Sequence, residues 1–282
     1  MVDGPPVTPD ALTDRLLRSD GADSSDSDGS APDSGPRVLA VAPPKPLIRA
    51  VIDRLGDDAP DGSVRLLLTS DGTAVFDEFL AASTAADAVA AGRLSVRVAD
   101  AVRESVTVTA DAVFAHVAAG DDVLAATTTD AELLAAMRAK YGEAWAAADP
   151  YDVGVPGRTA LLDSFAERWP DAAATLRDAL DGASSLRRGD ELDPVAACTL
   201  VAARHELLTM HLGEWAGDVG FSSRTEISRA KERLVAAGVV DTERIPDGVG
   251  RPRQRLVLAD DELADVPAAA LFDAARDRLD DR

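Results

Sequence analysis

Strand-like and helix-like segments alternate along residues 37–148, and this alternation constrains the fold more than any other feature of the sequence. Short apolar or alternating runs that are typical of strands occupy 37–42, 63–70, 94–100, 104–118 and 121–130. Between and after them, apolar residues recur at helical spacing, most clearly over 44–56 and 131–148. Such alternation indicates a sheet covered by helices. We therefore predict an α/β domain with a central mixed sheet over residues 37–150.

The rest of the chain has a different texture. Residues 19–36 are rich in Ser, Asp, Gly and Pro and cannot bury apolar surface, although PDALTDRLLRS before them could form a short helix. We divide the remainder into a disordered acidic N-terminal segment at 1–36, a helical linker region at 151–192, a mostly helical domain with one hairpin at 193–260, and a C-terminal helix at 261–282.

The charge of the chain is strongly unbalanced. Fifty acidic residues face 29 basic ones, of which only three are Lys, and the net charge is −21. Acid-rich, Lys-poor composition is typical of halophile proteins, whose cytoplasm holds enough salt to screen self-repulsion. The single Cys198 excludes a disulfide within the chain, and neither a signal peptide nor an apolar run of about 18 residues is visible. We expect a cytoplasmic protein that contacts no membrane.

Three predicted helices and a hairpin follow one another near the C-terminus. Asp193 and Pro194 begin the first helix, the second ends at Gly220, and Ser222 or Ser223 caps the third. Two strands, 239–246 and 253–259, then flank the glycine-rich tip DGVG. This order is that of a winged helix-turn-helix, in which the third helix enters the major groove of DNA.

Basic residues concentrate in this part of the acidic chain. Residues 222–258 contain eight Arg and Lys against five Asp and Glu, a net charge of +3. A polyanionic ligand needs such a local basic face whatever the net charge of the protein. We predict DNA contacts by residues of the third helix and of the wing: Ser223, Arg224, Thr225, Ser228, Arg229, Arg251 and Arg253. The alternative is a winged helix that binds only proteins.

The segment LGEWAGDVGFSSRTEISRAKERLVAAGVV, together with GRPRQRL, resembles the winged-helix domain of the haloarchaeal TbsP family of transcriptional regulators. The alternation that precedes it is similar to the phospholipase-D-like sensor half of TrmB-type sugar-responsive regulators. These resemblances imply a metabolite-responsive transcriptional regulator of central carbon metabolism, and therefore a regulator of sugar metabolism.

The α/β domain lacks the motifs of common catalytic sites. His116 is not followed by the Lys of a phospholipase-D His-x-Lys motif, and His205 and His211 lie in the DNA-binding part. Neither a P-loop, nor G-x-G-x-x-G, nor G-x-S-x-G, nor a metal-ligand spacing of His and Cys is present. We therefore interpret this domain as a sensor rather than an enzyme, and expect neither cofactor nor metal.

Polar residues follow three predicted strands, where open α/β sheets bind ligands. Candidate contacts for an effector such as a sugar phosphate are Lys45, Arg49, Thr69, Ser70, Thr127, Thr128 and Thr129. These residues can equally be ordinary caps and turns.

We expect a homodimer, because winged-helix regulators bind paired half-sites in double-stranded promoter DNA. The tail stripe of Leu271, Ala275 and Leu279 could pair with its twin or pack on its own domain. Two other functions remain open: an enzyme that acts on phosphate esters, and a chromatin-like protein that binds DNA without sequence preference.

Overall fold

A computed structural model of the protein describes residues 8–18, 38–56, 64–246, 253–259 and 261–280. The chain divides into two compact units. The first unit comprises Met1–Phe76 and Thr84–Gly154, and the second comprises Asp77–Ser83 and Val155–Arg282. Within the described part of the chain, no helix is both long and apolar enough to cross a membrane.

Helices and strands alternate in the first unit. They are α1 (Pro9–Arg18), β1 (Val38–Val41), α2 (Lys45–Gly56), β2 (Val64–Leu68), a 3-10 helix (Gly72–Asp77), α3 (Phe79–Ala90), β3 (Leu94–Val98), β4 (Val106–Val108), β5 (Val113–Ala119), β6 (Asp122–Thr128), α4 (Ala131–Ala147) and β7 (Asp149–Pro150). The first residues of α3 belong to the segment counted with the second unit.

The seven strands form one mixed sheet in the order β6-β5-β4-β1-β2-β3-β7. β1, β2 and β3 are parallel, because a helix carries the chain back between consecutive strands. β4 pairs antiparallel with β1, β5 and β6 follow by antiparallel pairing, and β7 pairs antiparallel with β3. The predicted α/β domain with a central mixed sheet is therefore confirmed.

The core of the first unit lies against the parallel strands. β1 reads VLAV and β2 reads VRLLL, so apart from Arg65 both are apolar, as is typical of strands buried on both faces. On one face, α4 packs Tyr141 and Trp145 among buried residues that include Leu67. The Arg97 guanidinium donates a 2.8 Å hydrogen bond to the Trp145 carbonyl near the end of α4, and this carbonyl also accepts one from the Ala148 N–H.

The N-terminal segment, predicted as disordered over 1–36, contains at residues 9–18 the short helix that the sequence allowed. These residues form α1, in which Leu12 and Leu16 are buried. The Arg54 side chain of α2 donates a 3.2 Å hydrogen bond to Asp14. Two leucines four residues apart give the short helix an apolar face, and their burial stabilises it. The remainder of this predicted segment, 1–7 and 19–36, lies outside the described residues.

The second unit is mostly helical. Its elements are α5 (Arg158–Arg168), α6 (Pro170–Gly182), α7 (Pro194–Arg204), α8 (Thr209–Asp218), α9 (Arg224–Ala236), β8 (Val240–Ile245), β9 (Arg253–Leu258), α10 (Asp261–Asp265), a 3-10 helix (Ala268–Ala270) and α11 (Leu271–Asp280). β8 and β9 form an antiparallel hairpin. The predicted α-helical winged helix-turn-helix is thus confirmed at the level of its fold.

Helices α5 and α6 form part of the core of the second unit, so the interpretation of 151–192 as a linker is wrong. The Phe165 ring lies 4.9 Å from the Trp169 ring and 4.9 Å from the Trp215 ring, measured between centroids. The Trp215 indole N–H donates a 3.0 Å hydrogen bond to the Ser164 hydroxyl. Large buried aromatic residues dominate core energetics, which explains why these helices belong to the unit that follows them.

The tail helix packs on its own unit. Leu271, Ala275 and Leu279 of α11 are buried in the same apolar cluster as the helices of the winged helix. The preceding 3-10 helix approaches α6 so closely that a Cβ on Gly182 would lie 1.9 Å from the Ala269 carbonyl oxygen. Only glycine fits at that position. Of the two alternatives for the tail stripe, the structure shows packing within the chain.

Candidate nucleic-acid interface

The candidate interface is built on α8 and α9, which the turn at Gly220 holds together. Gly220 adopts a left-handed conformation with φ of 69°, which glycine accepts without steric cost. Leu212 and Trp215 of α8 and Ile227 of α9 are buried in the shared core. This packing leaves the opposite face of α9 to solvent. The sequence therefore predicted the end of α8 at Gly220 correctly.

The start of α9 is fixed by a capping box. The Ser223 hydroxyl accepts a hydrogen bond from the Glu226 N–H at 3.2 Å, and the Glu226 carboxylate accepts one from the Ser223 N–H at 2.8 Å. The Ser222 hydroxyl donates to the same carboxylate at 3.1 Å. The Ser223 backbone and hydroxyl hydrogen bonds hold the pKa of Glu226 below its usual value. Ser223 therefore acts as a cap that sets the position of the next residue, Arg224.

Arg224 extends from the first turn of α9 into solvent, and its side chain is 72% exposed. Its stem lies against α8, where a Cβ on Gly213 would be only 3.2 Å from the Arg224 Cγ. The Arg224 guanidinium lies 3.7 Å from the Glu214 carboxylate, which also pairs with Arg168 at 3.3 Å. The close contact with Gly213 and the distant ion pair orient the side chain without burying it.

An open groove of ≈ 660 Å³ lies between the start of α8, the start of α9 and the wing strands. The residues that line it are Thr209, Met210, Gly213, Arg224, Ser228, Arg244, Arg253 and Gln254. Among the residues that the structure describes, three arginines and no carboxylate line this surface. We call it the basic groove.

The structure separates the predicted contacts of α9 into two neighbouring faces. Arg224 and Ser228, one turn apart, line the basic groove. Thr225 and Arg229, also one turn apart, are exposed on the adjacent face, because consecutive residues are turned by about 100° in a helix. Both faces start at the same helix end, so one duplex can contact both.

The wing contributes Arg253 to the basic groove. Its guanidinium lies 3.4 Å from Nε2 of His211, which accepts the hydrogen bond and so orients the arginine from α8. The Lys231 ammonium of α9 donates a 3.0 Å hydrogen bond to the Gln254 side chain, which ties the helix to the wing. The predicted contact Arg251 lies outside the described residues.

Two other basic residues of this region have structural partners. The Arg255 guanidinium pairs with the Glu206 carboxylate at 2.8 Å and also with Glu243, and the hydrogen bond that it donates to Glu243 raises the pKa of Arg255. The Arg233 guanidinium lies 2.6 Å from Asp193, the N-cap of α7. The basic residues therefore divide into those that face the groove and those that join elements of the unit.

The sequence did not identify several residues of the basic groove. Arg244 and Gln254 are directly opposite each other in the hairpin register, and Thr209 and Met210 begin α8. The register of the predicted hairpin was the available signal for Arg244. For Thr209 and Met210, the sequence indicated only that a helix starts near them, and not that they line a groove.

The predicted effector residues of the first unit fall into separate places. Lys45 and Arg49 line an open depression of ≈ 760 Å³ after β1, and the Lys45 ammonium lies 3.5 Å from the Asp71 carboxylate. The same depression is lined by Asp10, Asp53, Asp71 and Asp121. Four carboxylates against two cations disfavour an anionic ligand there.

The hydroxyls of Thr69 and Ser70 are occupied within the turn after β2. Thr69 accepts a hydrogen bond from the Gly72 N–H at 3.3 Å. The Asp100 carboxylate accepts hydrogen bonds from the Ser70 N–H at 2.7 Å and from the Ser70 hydroxyl at 2.8 Å. These hydrogen bonds lower the pKa of Asp100. Both residues have the turn and cap roles that were the alternative interpretation.

The three threonines at the end of β6 lie at the end of the sheet opposite the carboxyl end of β1; they are Thr127, Thr128 and Thr129. Thr128 of β6 lies opposite Val113 of β5, and Val113 lies opposite Val108 of β4. Val108 in turn lies opposite Leu39, near the start of β1. β6 runs antiparallel to β1, so its carboxyl end meets the amino end of β1. The structure therefore does not bring these threonines together with Lys45, Arg49, Thr69 and Ser70.

Comparison with known proteins identifies the family. Residues 29–156 match the family described as "Transcriptional regulator TbsP-like, N-terminal", and residues 158–276 match "Transcriptional regulator TbsP-like, C-terminal HTH domain". No curated protein matches the chain.

One similar solved structure is that of TrmBL2, described as an archaeal chromatin protein that shows a novel mode of DNA binding. It is 17% identical, with a TM-score of 0.30, over 42% of this chain and 46% of that one, so less than half of that protein is matched. Together, the two family matches extend over most of the sequence. The chain belongs to the TbsP-like family of transcriptional regulators.

Proposed function

We propose that this regulator binds promoter DNA as a homodimer, with α9 in the major groove and the β8–β9 wing on the neighbouring backbone. The observation that supports this most strongly is the basic groove, where Arg224, Arg244 and Arg253 meet on one surface. In a chain of net charge −21, such a surface favours a polyanion. The helix-turn-helix family match supports the same proposal.

Each predicted contact has a role in this proposal. Arg224, at the start of α9, reaches a base edge, where a bidentate contact with guanine contributes about 1–3 kcal/mol of discrimination. Ser228 lies beside it, while Thr225 and Arg229 contact the flanking backbone. Ser223 acts by capping α9. Arg253 binds phosphate from the wing, and Arg251 is proposed to do the same.

In a cytoplasm with a high salt concentration, contacts with bases contribute a larger share of the binding specificity than contacts with phosphates. The acid-rich composition suits a halophile interior, where the Debye length is about 3 Å at 1 M salt. Affinity that depends on phosphate neutralisation falls steeply under such conditions. Discrimination between sequences must then come from close contacts such as that of Arg224.

A binding experiment in molar potassium chloride tests the proposal. Operator duplexes are first identified by mapping bound genomic DNA, and fluorescence anisotropy then measures affinity for operator and scrambled duplexes. Arg224→Ala should weaken operator binding by about 5- to 150-fold and reduce the ratio between the two duplexes. Arg233→Ala, on the same helix but paired with Asp193, is the matched control and should change neither value.

Two outcomes would reject the proposal in different ways. If wild-type protein binds neither duplex, the winged helix does not bind DNA. If Arg224→Ala weakens both duplexes equally, the protein is a chromatin-like DNA binder without sequence preference.

The proposal includes a metabolite effector of sugar metabolism, sensed by the first unit. Its support is the two-part layout, together with the resemblance to sugar-responsive regulators. Binding of the effector would favour one arrangement of the dimer and so change the affinity for paired half-sites. Thermal unfolding with sugar phosphates and uncharged sugars tests this part, because a bound ligand raises the unfolding temperature. The acidic depression around Lys45 favours the uncharged candidates.

A further inference from the structure

The outer hairpin of the sheet carries little charge along its strands, in which Asp122, the first residue of β6, is the one charged side chain. Residues 112–120 and 123–129 contain no Asp, Glu, Lys or Arg, in a chain where 28% of residues are charged. The only acidic residues of the hairpin are Asp121 and Asp122 at its turn. His116 is buried, and burial lowers its pKa to about 4, so it is uncharged near neutrality. A stretch of low charge, bounded at its turn by Asp121 and Asp122, is therefore present on an otherwise highly acidic protein.

Apolar side chains are exposed on one face of this hairpin. Val117 of β5 and Leu124 of β6 are directly opposite each other and are 62% and 39% exposed. Val113, on the same face, is buried in the cluster that contains Tyr141 of α4, whereas Ala115 is already exposed. Helix α4 therefore covers the beginning of β5 and leaves the rest of this face to solvent.

β6 is also the edge strand of the sheet. One of its sides pairs with β5, and its other side pairs with no strand among the described residues. Natural edge strands are commonly protected by Lys, Pro or a bulge. β6 reads DVLAATT, is seven residues long, and pairs with β5 in an unbroken register. Among the described residues, no strand takes up the hydrogen-bonding groups on the outer side of β6.

We infer that β6 pairs antiparallel with β6 of a second copy of this chain, and so forms the dimer that the proposed function requires. Antiparallel pairing of a strand with itself has two-fold symmetry, as an isologous interface demands. The low charge of β6 beyond Asp122 selects this occupant, because two copies with a net charge of −21 repel each other least where few charges face each other. The exposed Val117 and Leu124 then form one apolar stripe with their symmetry mates.

The register of such a pair is restricted. Directly opposite residues in an antiparallel sheet point to the same face. A two-fold axis perpendicular to the sheet must therefore pass midway between the two copies of one residue, which lie opposite each other. Near the middle of β6 the candidates are Leu124, Ala125 and Ala126. Their Cα atoms would be about 4.5–5.5 Å apart across the axis, which a disulfide can span.

Light scattering of the full chain without DNA, in molar potassium chloride, tests the interface. Wild-type protein should be a dimer, and Leu124→Asp should be a monomer with unchanged circular dichroism. The matched control is Val89→Asp on α3, where the native side chain is 42% exposed, and it should remain a dimer. A monomeric wild type, a dimeric Leu124→Asp or a monomeric Val89→Asp would overturn the inference.

Cysteine cross-linking tests the strand pairing itself and decides the matter if Leu124→Asp fails to fold. Leu124→Cys, Ala125→Cys and Ala126→Cys are oxidised one at a time, with Val89→Cys as control. The native Cys198 is buried and does not compete. At least one of the three should form a covalent dimer and the control should not. A wild-type dimer with no cross-link at any of the three would refute pairing through β6. Neither measurement uses DNA, so failure of the interface and failure of DNA binding are distinguished.

Discussion

Replacing Gly213 by alanine should weaken DNA binding while leaving the fold intact. Gly213 lies within α8, and the stem of Arg224 packs directly on its Cα. A Cβ added there would be 3.2 Å from the Arg224 Cγ and 3.5 Å from its Cα. Favourable carbon–carbon contacts begin at about 3.5 Å, so the arginine must move by a few tenths of an ångström. Gly213 is therefore a positioning residue for Arg224.

The expected loss of operator affinity follows from the proposed contact of Arg224 with a base, which Gly213→Ala would displace. A bidentate arginine–guanine pair contributes about 1–3 kcal/mol of discrimination, and its loss corresponds to about 5- to 150-fold in affinity. A small displacement should cost the lower part of that range, so we expect operator binding weaker by about fivefold. The same substitution removes a helical glycine, which by itself stabilises a helix by about 0.5–1 kcal/mol.

Gly217, one turn later in α8, provides a matched control. A Cβ at Gly217 would meet no atom of the described residues within 4 Å. Gly217→Ala should therefore raise the free energy of unfolding by about 0.5–1 kcal/mol and leave operator binding unchanged. Both variants gain the same helix propensity, so any difference between them in DNA affinity reports the contact with Arg224.

Fluorescence anisotropy with the operator and thermal unfolding measure the two quantities. The reasoning would be refuted if Gly213→Ala binds the operator as tightly as wild type while Arg224→Ala does not. It would also be refuted if Gly217→Ala weakens binding as much as Gly213→Ala.

Three further predictions concern stability. Gly182→Ala should lower the free energy of unfolding, measured by chemical denaturation, by about 3 kcal/mol or more, because its Cβ would overlap the Ala269 carbonyl. The control Gly142→Ala in α4, where no atom of the described residues lies within 4 Å of the added Cβ, should not lower it. Ser223→Ala removes the cap of α9 and should cost about 1 kcal/mol by the same measurement, with weaker operator binding. The pKa of His116 is lowered to about 4 by burial, so the unfolded state binds the proton first as pH falls. The free energy of unfolding should therefore fall by about 3 kcal/mol as the pH falls from 6.5 towards 4, because His116 is protonated only in the unfolded state over this range. In His116→Gln, the free energy of unfolding should lack this pH-dependent component.

Features determined by neighbouring residues could be predicted from the sequence. The cap at Ser223 and the helix end at Gly220 both depend on residues within one or two turns of each other. The strands of the α/β domain were likewise visible, since strands buried on both faces are mostly apolar. Such local signals were sufficient for both fold classes.

Features determined by long-range packing could not be predicted in the same way. The direction of β6 is set by its pairing with β5, and it places Thr127–Thr129 at the end of the sheet opposite Lys45. The contacts of Phe165 with Trp215 make α5 part of the second core, although these residues are 50 positions apart. Periodicity alone does not reveal which strand or helix is the partner.

The side-chain partners of individual arginines also required the structure. Arg244 and Arg255 both lie in the wing hairpin and look alike in the sequence. In the folded unit, Arg244 lines the basic groove, while Arg255 pairs with Glu206 and Glu243. Hairpin patterning predicted the strands but did not distinguish the residue that lines the basic groove from the residue that joins two elements.

This difference provides the most direct measurement of the central claim that the basic groove binds DNA. Operator affinity is measured against salt concentration for Arg244→Ala and Arg255→Ala. Arg244→Ala should bind more weakly and reduce the salt slope by about one unit, because one phosphate contact is lost. Arg255→Ala should keep the wild-type slope. If both variants keep that slope, or if Arg255→Ala alone loses it, the basic groove is not the DNA-binding surface.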